Sequence, residues 1–527
     1  MARFNTKSAK ALVTSAVKST GRIAPTHQGG RGRIRDPRSE LFLLAVANFV
    51  SQQTFYETGD ARDDRFATLV RRLAVEDPQW TADLLGWLRG EGNMRTAAIV
   101  GAAEYVKARL DAGAAEGPAN RSVVASVLRR PDEPGELLGY WTAAYGRNIP
   151  KPVKRGIADA VRRLYGEKAL LKYDTASKGY RFGDILNLVH AAPDPDKPWQ
   201  GALFRYALDR RHHPDTALPP ASARVLAAHR ELMAVPVAGR RAVVTGAGGA
   251  ERLAAAGMTW EALAGWLQGP MDKAAWEAVI PSMGVMALVR NLRNFDEAGV
   301  SDEVAAVVAA KLADPAQVAK SRQFPFRYLA AYQHAPSLRW AYPLEQALGH
   351  SLANVPALPG RSLVLVDRSG SMWSLLSDRS QLSRADAAAV FGTALALRAA
   401  NADLVEFGTS SARVKYRKGE SVLKILERFG SLGGTNTTEA VSRFYKKHDR
   451  VLIVTDEQAT YNYHGDPTEQ VPAHIPVYTW NLAGYRVGHG ESGTGNRHVF
   501  GGLSDAAFRM VQLLEAGSSS DWPWMRK

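Results

Sequence analysis

Asp367, Ser369 and Ser371 stand at alternate positions in SLVLVDRSGSMWS (residues 362–374), directly behind an apolar run. If that run is a strand of an open parallel sheet, the three side chains lie past its C-terminal edge, where such sheets bind ligands. Two more places qualify for the same edge: Thr435 in the glycine-rich GGTNT and Asp456 near the end of VLIVTDE. Carboxylate and hydroxyl oxygens without His or Cys are hard donors, and so few of them cannot fill an octahedral shell. The set therefore points to Mg²⁺ with waters completing its coordination. An incomplete shell leaves a position for a carboxylate or phosphate oxygen from a partner. A serine turn capping the next helix explains one hydroxyl but not all five residues. Aspartyl-phosphate enzymes also place Asp after a strand, yet here Ser369 follows two residues on and Glu457 is the sole fallback base, so the chain reads as a binder and not an enzyme.

These side chains need strands to hold them. After the Pro/Gly linker NVPALPGR, the runs SLVLVD, ADLVEFGT, RVLIVTD and IPVYTWNLA alternate with the helical stretches RADAAAVFGTALALRAA and TTEAVSRFYKKH. That pattern predicts a doubly wound, Rossmann-like α/β domain over residues 361–515, closed by the helix LSDAAFRMVQLLEAG and followed by a C-terminal tail at 516–527. From 39 to 355 apolar residues recur at three- and four-residue steps with Pro or Gly at the joins, which predicts an all-α helical-repeat domain, a stacked solenoid without a crisp repeat period.

The chain has 527 residues, 46% of them hydrophobic, and no Cys, so disulfides and thiolate metal sites are excluded. No apolar run reaches the roughly 18 residues that cross a bilayer, and a soluble, cytoplasmic monomer is expected. The net charge of +15 favours a polyanion as partner, nucleic acid first. The first 38 residues read as a flexible basic tail, with HQGGRGRIRDPR laid along phosphates, and a transit peptide as the competing reading. Residues 147–193 interleave Lys, Arg, Tyr and His in a helix–loop–helix pattern suited to structured RNA. AVVTGAGGAE (242–251) fails as a dinucleotide turn because Glu251 stands where the third Gly belongs, and RRHHP (210–214) lacks further metal ligands at useful spacing.

The D-x-S-x-S run, the Gly-Gly-Thr loop and the later strand-end Asp, in that order, resemble the metal-ion-dependent adhesion site of von Willebrand factor A domains. That resemblance implies Asp367, Ser369 and Ser371 as first-loop ligands, Thr435 as the second-loop ligand and Asp456 as the third, with Mg²⁺ or another divalent cation as cofactor. LLKYDTASKGYRFGDILNLVH, WEAVIPSMGVMALVRNLRNF and SRQFPFRYLAA precede the cup and resemble conserved-order segments of the Ro autoantigen family, whose TROVE module joins a HEAT-like helical ring to such a domain. The Ro resemblance implies an RNA-binding scaffold acting in RNA quality control. A Y-type small RNA would lie on the ring's outer surface, at Lys172 and His190, with Lys178 or Arg181 standing in for an unmatched Arg and Tyr180 for a Trp. Single-stranded 3′ ends of misfolded RNAs would enter the hole, for which Arg322 and Arg327 are candidates, and polynucleotide phosphorylase or another exoribonuclease would be a partner. A metal-dependent adhesion or chaperone module with a nonspecifically basic helical domain is the alternative, and a metal-dependent phosphatase or nuclease a third.

Overall fold

The computed structural model describes residues 14–47, 50–175, 178–335, 337–352, 355, 357–378, 380–459, 465–502, 511, 514–515 and 522–525. Helices follow one another from Pro37–Ala47 to Ala341–Ser351. The local signals are strong. Thr58 caps Gly59–Glu76 by accepting from the Ala61 amide, and Phe66, Leu69, Val70 and Leu73 bury one face of that helix. Asp77 then ends this helix and caps the next, Pro78–Gly90, with Pro78 in the first turn, where its missing N–H is no loss. The discarded dinucleotide turn, 242–251, spans the end of the helix Val237–Thr245 and the start of the helix Gly249–Ala255.

The strands are β1 (Ser19–Pro25), β2 (Arg31–Arg35), β3 (Leu358–Asp367), β4 (Ala399–Phe407), β5 (Ser411–Arg413), β6 (Arg450–Thr455), β7 (Val477–Asn481), β8 (Val487–Gly488) and β9 (Arg497–Gly501). The larger sheet has the order β5-β4-β3-β6-β7-β9, parallel except for β5. Val364 and Val366 of β3 face one core with Phe391 and Trp480; Leu363 and Leu365 face another with Val441 and Phe444. Helices therefore cover both faces, as the unbroken apolar run of β3 requires. Of the closing helix at 503–517, only residues 511, 514 and 515 are described, and the rest lies outside the described residues.

The two ends of the helical array meet. Arg322, in the left-handed region (φ 51°), donates from its guanidinium to the Gly90 carbonyl at 3.0 Å, and Asn93 donates to the Arg322 carbonyl at 2.9 Å. These partners are 232 and 229 residues apart, so a ring closes there. Phe324 packs against the cores of both halves. The ring in turn grips the α/β domain: buried Arg62 pairs with Glu57 at 2.8 Å and donates to the Ala483 carbonyl at 2.6 Å, and Arg65 donates to Gly484 at 3.0 Å.

Two expectations need correction. Residues 19–35 are not a flexible strand: β1 and β2 form a hairpin whose second strand pairs with β8, and Arg35 makes a buried 2.7 Å ion pair with Glu457. A buried carboxylate needs such a partner, and this one is supplied from the far end of the chain. Residues 1–13 lie outside the described residues. The tail at 516–527 is anchored where it is described. Trp522 stacks on Trp524 (5.4 Å) and meets Trp80 and Phe42 at 5.1 and 5.3 Å, burial that outweighs the polar composition around it.

Candidate metal centre and nucleic-acid interface

The cup forms from the loops that leave β3 and β6 and the Thr435 loop that leads into the helix Thr437–Phe444. Asp367 closes β3, and its Oδ1 accepts from the Ser369 amide at 2.9 Å while Oδ2 accepts from Thr455 Oγ1 at 2.5 Å. Ser369 and Ser371 hydroxyls lie 3.4 Å apart. The Thr435 loop docks on the first loop through Gly370 N to Gly433 O (2.5 Å) and Leu432 N to Arg368 O (3.0 Å). Buried Arg368 staples both, donating to Gly430 O and Ala385 O at 2.7 Å each. Asp367, Ser369, Ser371, Thr435 and Asp456 are all buried, at 0, 0, 2, 0 and 1% exposure.

This set fits a hard cation. Burial raises the pKa of Asp367, against hydrogen bonds from Ser369 and Thr455; burial and then the Asp367 charge raise that of Asp456. Asp456 Oδ2 has no well-formed hydrogen bond, and Ser371 gives it partial relief. Two neighbouring carboxylates lined by hydroxyls, offset only in part by Arg368 and Arg384, form a hard-oxygen donor set that a divalent cation would suit. Among the described residues no group of three or more His, Cys, Asp or Glu stands at metal-binding distance; the cup brings together two carboxylates and three hydroxyls. Glu457, the fallback base, is fully buried and holds Arg35 and the Asn481 amide (2.6 Å), so its oxygens are taken.

On the ring, Lys172 is exposed at the end of Glu167–Tyr173, with its Nζ 5.3 Å from the Tyr173 ring centre; Arg130 approaches the same ring at 5.6 Å. Lys178 joins this group through Asp132, which lies 3.9 Å from its Nζ and 2.6 Å from Arg130. His190 is exposed in the left-handed cap of Phe182–Val189. The other two candidates carry structural duties. Arg181 forks onto buried Asp174 (3.2 and 2.9 Å), and half-buried Tyr180 donates to Thr142 at 3.3 Å.

At the ring seam a second basic cluster appears. Exposed Arg129 makes no side-chain hydrogen bond or ion pair among the described residues; burial of its stem, then Arg89, Arg322 and Arg163, lower its pKa, with Glu133 opposing. Arg163 donates to the Ala125 and Leu128 carbonyls at 3.0 and 2.6 Å, and Arg322 to Gly90, so both sit at helix C-termini, where cations are favoured. Arg327 is exposed beside Phe326 (6.0 Å); partial burial and then Arg290 lower its pKa.

Residues 251–340 match the family model described as the TROVE domain. The whole molecule is similar to the crystal structure of the Deinococcus radiodurans RO (RSR) protein, with a TM-score of 0.61 at 18% identity, covering 92% of this chain and 100% of that one. Together they show that the chain carries a TROVE-type segment and shares the fold of that solved protein. No curated protein matches the sequence. Within this fold the sequence reading did not single out Arg129, Arg163 or Arg290: Arg163 lies beside Arg129 through neighbouring helices, Arg322 reaches Arg129 across the seam, and Arg290 lies beside Arg327. It also missed Tyr56, half-buried beside the cup, whose hydroxyl pKa is raised by burial and by Asp456 and Asp367. Arg163 and Arg290 do lie in segments that the sequence singles out, 147–193 and 276–295, but nothing local marks either side chain, and Arg129 and Tyr56 sit in short turns.

Proposed function

We propose that this protein binds noncoding RNA as a Ro-type ribonucleoprotein, with two basic faces on a closed helical ring and a cation-holding α/β domain that braces the ring. The seam arginines support this reading: exposed Arg129 has no side-chain hydrogen bond or ion pair among the described residues, and Arg89, Arg322 and Arg163 lie near it with Glu133 opposing, a concentration of positive charge that suits a polyanion. Single-stranded 3′ ends are the class suited to the seam, where phosphates would meet the exposed guanidiniums of Arg129 and Arg327. The face around Lys172, Lys178, Tyr173 and His190 mixes charge with an aromatic ring and suits a small structured, Y-type RNA. An exoribonuclease such as polynucleotide phosphorylase is the partner such a scaffold serves in RNA decay.

In the cup, Asp367, Ser369, Ser371, Thr435 and Asp456 would hold Mg²⁺, which offers an attachment point for an oxygen ligand. A second reading, adhesion to a protein, draws on one observation. A cleft of about 380 Å³ beside the first loop is lined by Gln52–Phe55, Trp373–Leu375, Ser377 and Asp378, with Phe55, Trp373 and Leu375 exposed. Fluorescence anisotropy with a structured small RNA compares the two. The RNA reading expects Lys172→Ala/His190→Ala to weaken binding at least several-fold without changing the far-ultraviolet circular dichroism, and unchanged affinity would remove that face from the account.

A further inference from the structure

The tip of the β1–β2 hairpin lies across the metal cup. Thr26 Oγ1 and the Gly30 amide both donate to the Ala459 carbonyl, at 2.7 and 3.1 Å, and the His27 amide donates to Gln458 Oε1 at 2.8 Å. Gly29, with φ 82°, makes the turn between these anchors. Gln28 is thereby aimed at the cup. Its Nε2 lies 3.5 Å from Thr435 Oγ1 and donates to the Tyr56 hydroxyl at 2.6 Å, while its Oε1 is buried without a hydrogen-bond partner. Tyr56 extends the cover, within hydrogen-bonding reach of Ser371, and the His27 ring stacks on it in parallel at 5.0 Å.

A buried amide oxygen without a donor costs on the order of 1–3 kcal/mol, so its retention here asks for a missing partner. It is Nε2 that lies toward Thr435, so the oxygen reaches the cup only with the amide turned over. Amide oxygens are ordinary hard ligands, and rotating the amide by half a turn exchanges its oxygen and nitrogen with little change in shape. We propose that Gln28 is the chain's own ligand for the cup ion, occupying the position otherwise open to a partner's oxygen, with Tyr56 and His27 as a lid. This rests on the reading that the cup holds a hard divalent cation. Because the amide is neutral, it holds the ion less strongly than a carboxylate does, so an acidic partner peptide gains the site by displacing the hairpin tip.

The test uses the full chain and Mn²⁺, whose inner-sphere waters are counted by water-proton relaxation, with Mn²⁺ affinity from electron paramagnetic resonance. Wild type, Gln28→Met, Gln28→Glu and Asp367→Asn are compared. Gln28→Met keeps the length and removes both polar atoms; it is expected to weaken Mn²⁺ roughly tenfold and to admit one additional bound water. Gln28→Glu is expected to restore or tighten binding, which separates loss of a ligand from loss of the hairpin. Asp367→Asn is expected to abolish binding. If wild type and Asp367→Asn are equally unable to bind Mn²⁺, the cup reading itself fails. If Asp367→Asn loses Mn²⁺ while Gln28→Met keeps wild-type affinity and water count, the cup stands and the Gln28 assignment is overturned.

Discussion

Arg129→Gln separates a phosphate-binding guanidinium from a structural one. The Arg129 side chain has no hydrogen bond or ion pair among the described residues, and burial, then Arg89, Arg322 and Arg163, lower its proton affinity against the opposing Glu133, so removing it relieves repulsion within the fold. The folded protein is therefore expected to keep or slightly raise its Tm. RNA binding changes in the opposite direction. Each single-strand phosphate contact contributes about 0.7 to the slope of log K against log salt; carried from a 1 M reference to 0.15 M salt, that is about fourfold, or about 0.8 kcal/mol. Adding Arg327→Gln, if the two sites act independently, brings the loss to about 14-fold and the slope change to about 1.4. Anisotropy titrations of a labelled single-stranded RNA between about 0.05 and 0.5 M KCl read both quantities. A slope unchanged in the double variant refutes the seam as an RNA surface, whatever the absolute affinity.

Other expectations concern the scaffold and the cup. Arg322→Ala removes the guanidinium bond to Gly90 across the seam and is expected to cost about 1–2 kcal/mol and to speed hydrogen exchange around residues 86–93; unaltered exchange there contradicts ring closure through this contact. Arg35→Ala leaves Glu457 buried and without its ion-pair partner, and a loss of about 3–5 kcal/mol is expected by denaturant unfolding, with the β1–β2 hairpin becoming protease-sensitive. Cup titration has a definite sign. Burial pushes Asp367 up to about 6 and Asp456 up to about 7, from a usual value of 3.8, so the metal-free fold binds more protons than the unfolded chain across that window and loses stability as pH rises through it. Bound Mg²⁺ reverses this by favouring the ionised carboxylates; its stabilisation, read as a Tm difference against EDTA, is expected at pH 8 and absent at pH 5 in the wild type, and absent at pH 8 in Asp456→Asn. A Tm difference that survives in Asp456→Asn contradicts the ligand assignment.

How much of this was legible in the sequence depends on the range of the contacts involved. The cup residues follow apolar runs at fixed short spacing, and strand periodicity alone puts Asp367 and Asp456 at one sheet edge. The helical texture from 39 to 355 likewise follows from local apolar steps and caps such as Thr58 and Asp77. Short strands escaped notice: β5 has three residues and β9 is written RHVFG, too brief and too charged at its start to stand out. The hairpin RGRIR was misread because its basic character suggested phosphate, whereas the decisive partner of Arg35 lies 422 residues away. The same physics hid Gln28, whose contact with Thr435 spans 407 residues, and the seam, where Arg129 meets Arg322 only through closure of the ring. Arg181 shows the converse. Its motif position suggested RNA, but a buried Asp174 seven residues away claims its guanidinium.

The central claim is RNA binding through the ring, and ultraviolet cross-linking with sequencing of RNA co-purified from the native cell tests it most directly. Wild type is compared with Lys172→Ala/His190→Ala and with Arg129→Gln/Arg327→Gln. The account predicts one dominant small structured RNA that disappears in the first variant, and single-stranded 3′ ends that are depleted in the second. Bulk RNA recovered in equal amount and composition from all three contradicts it.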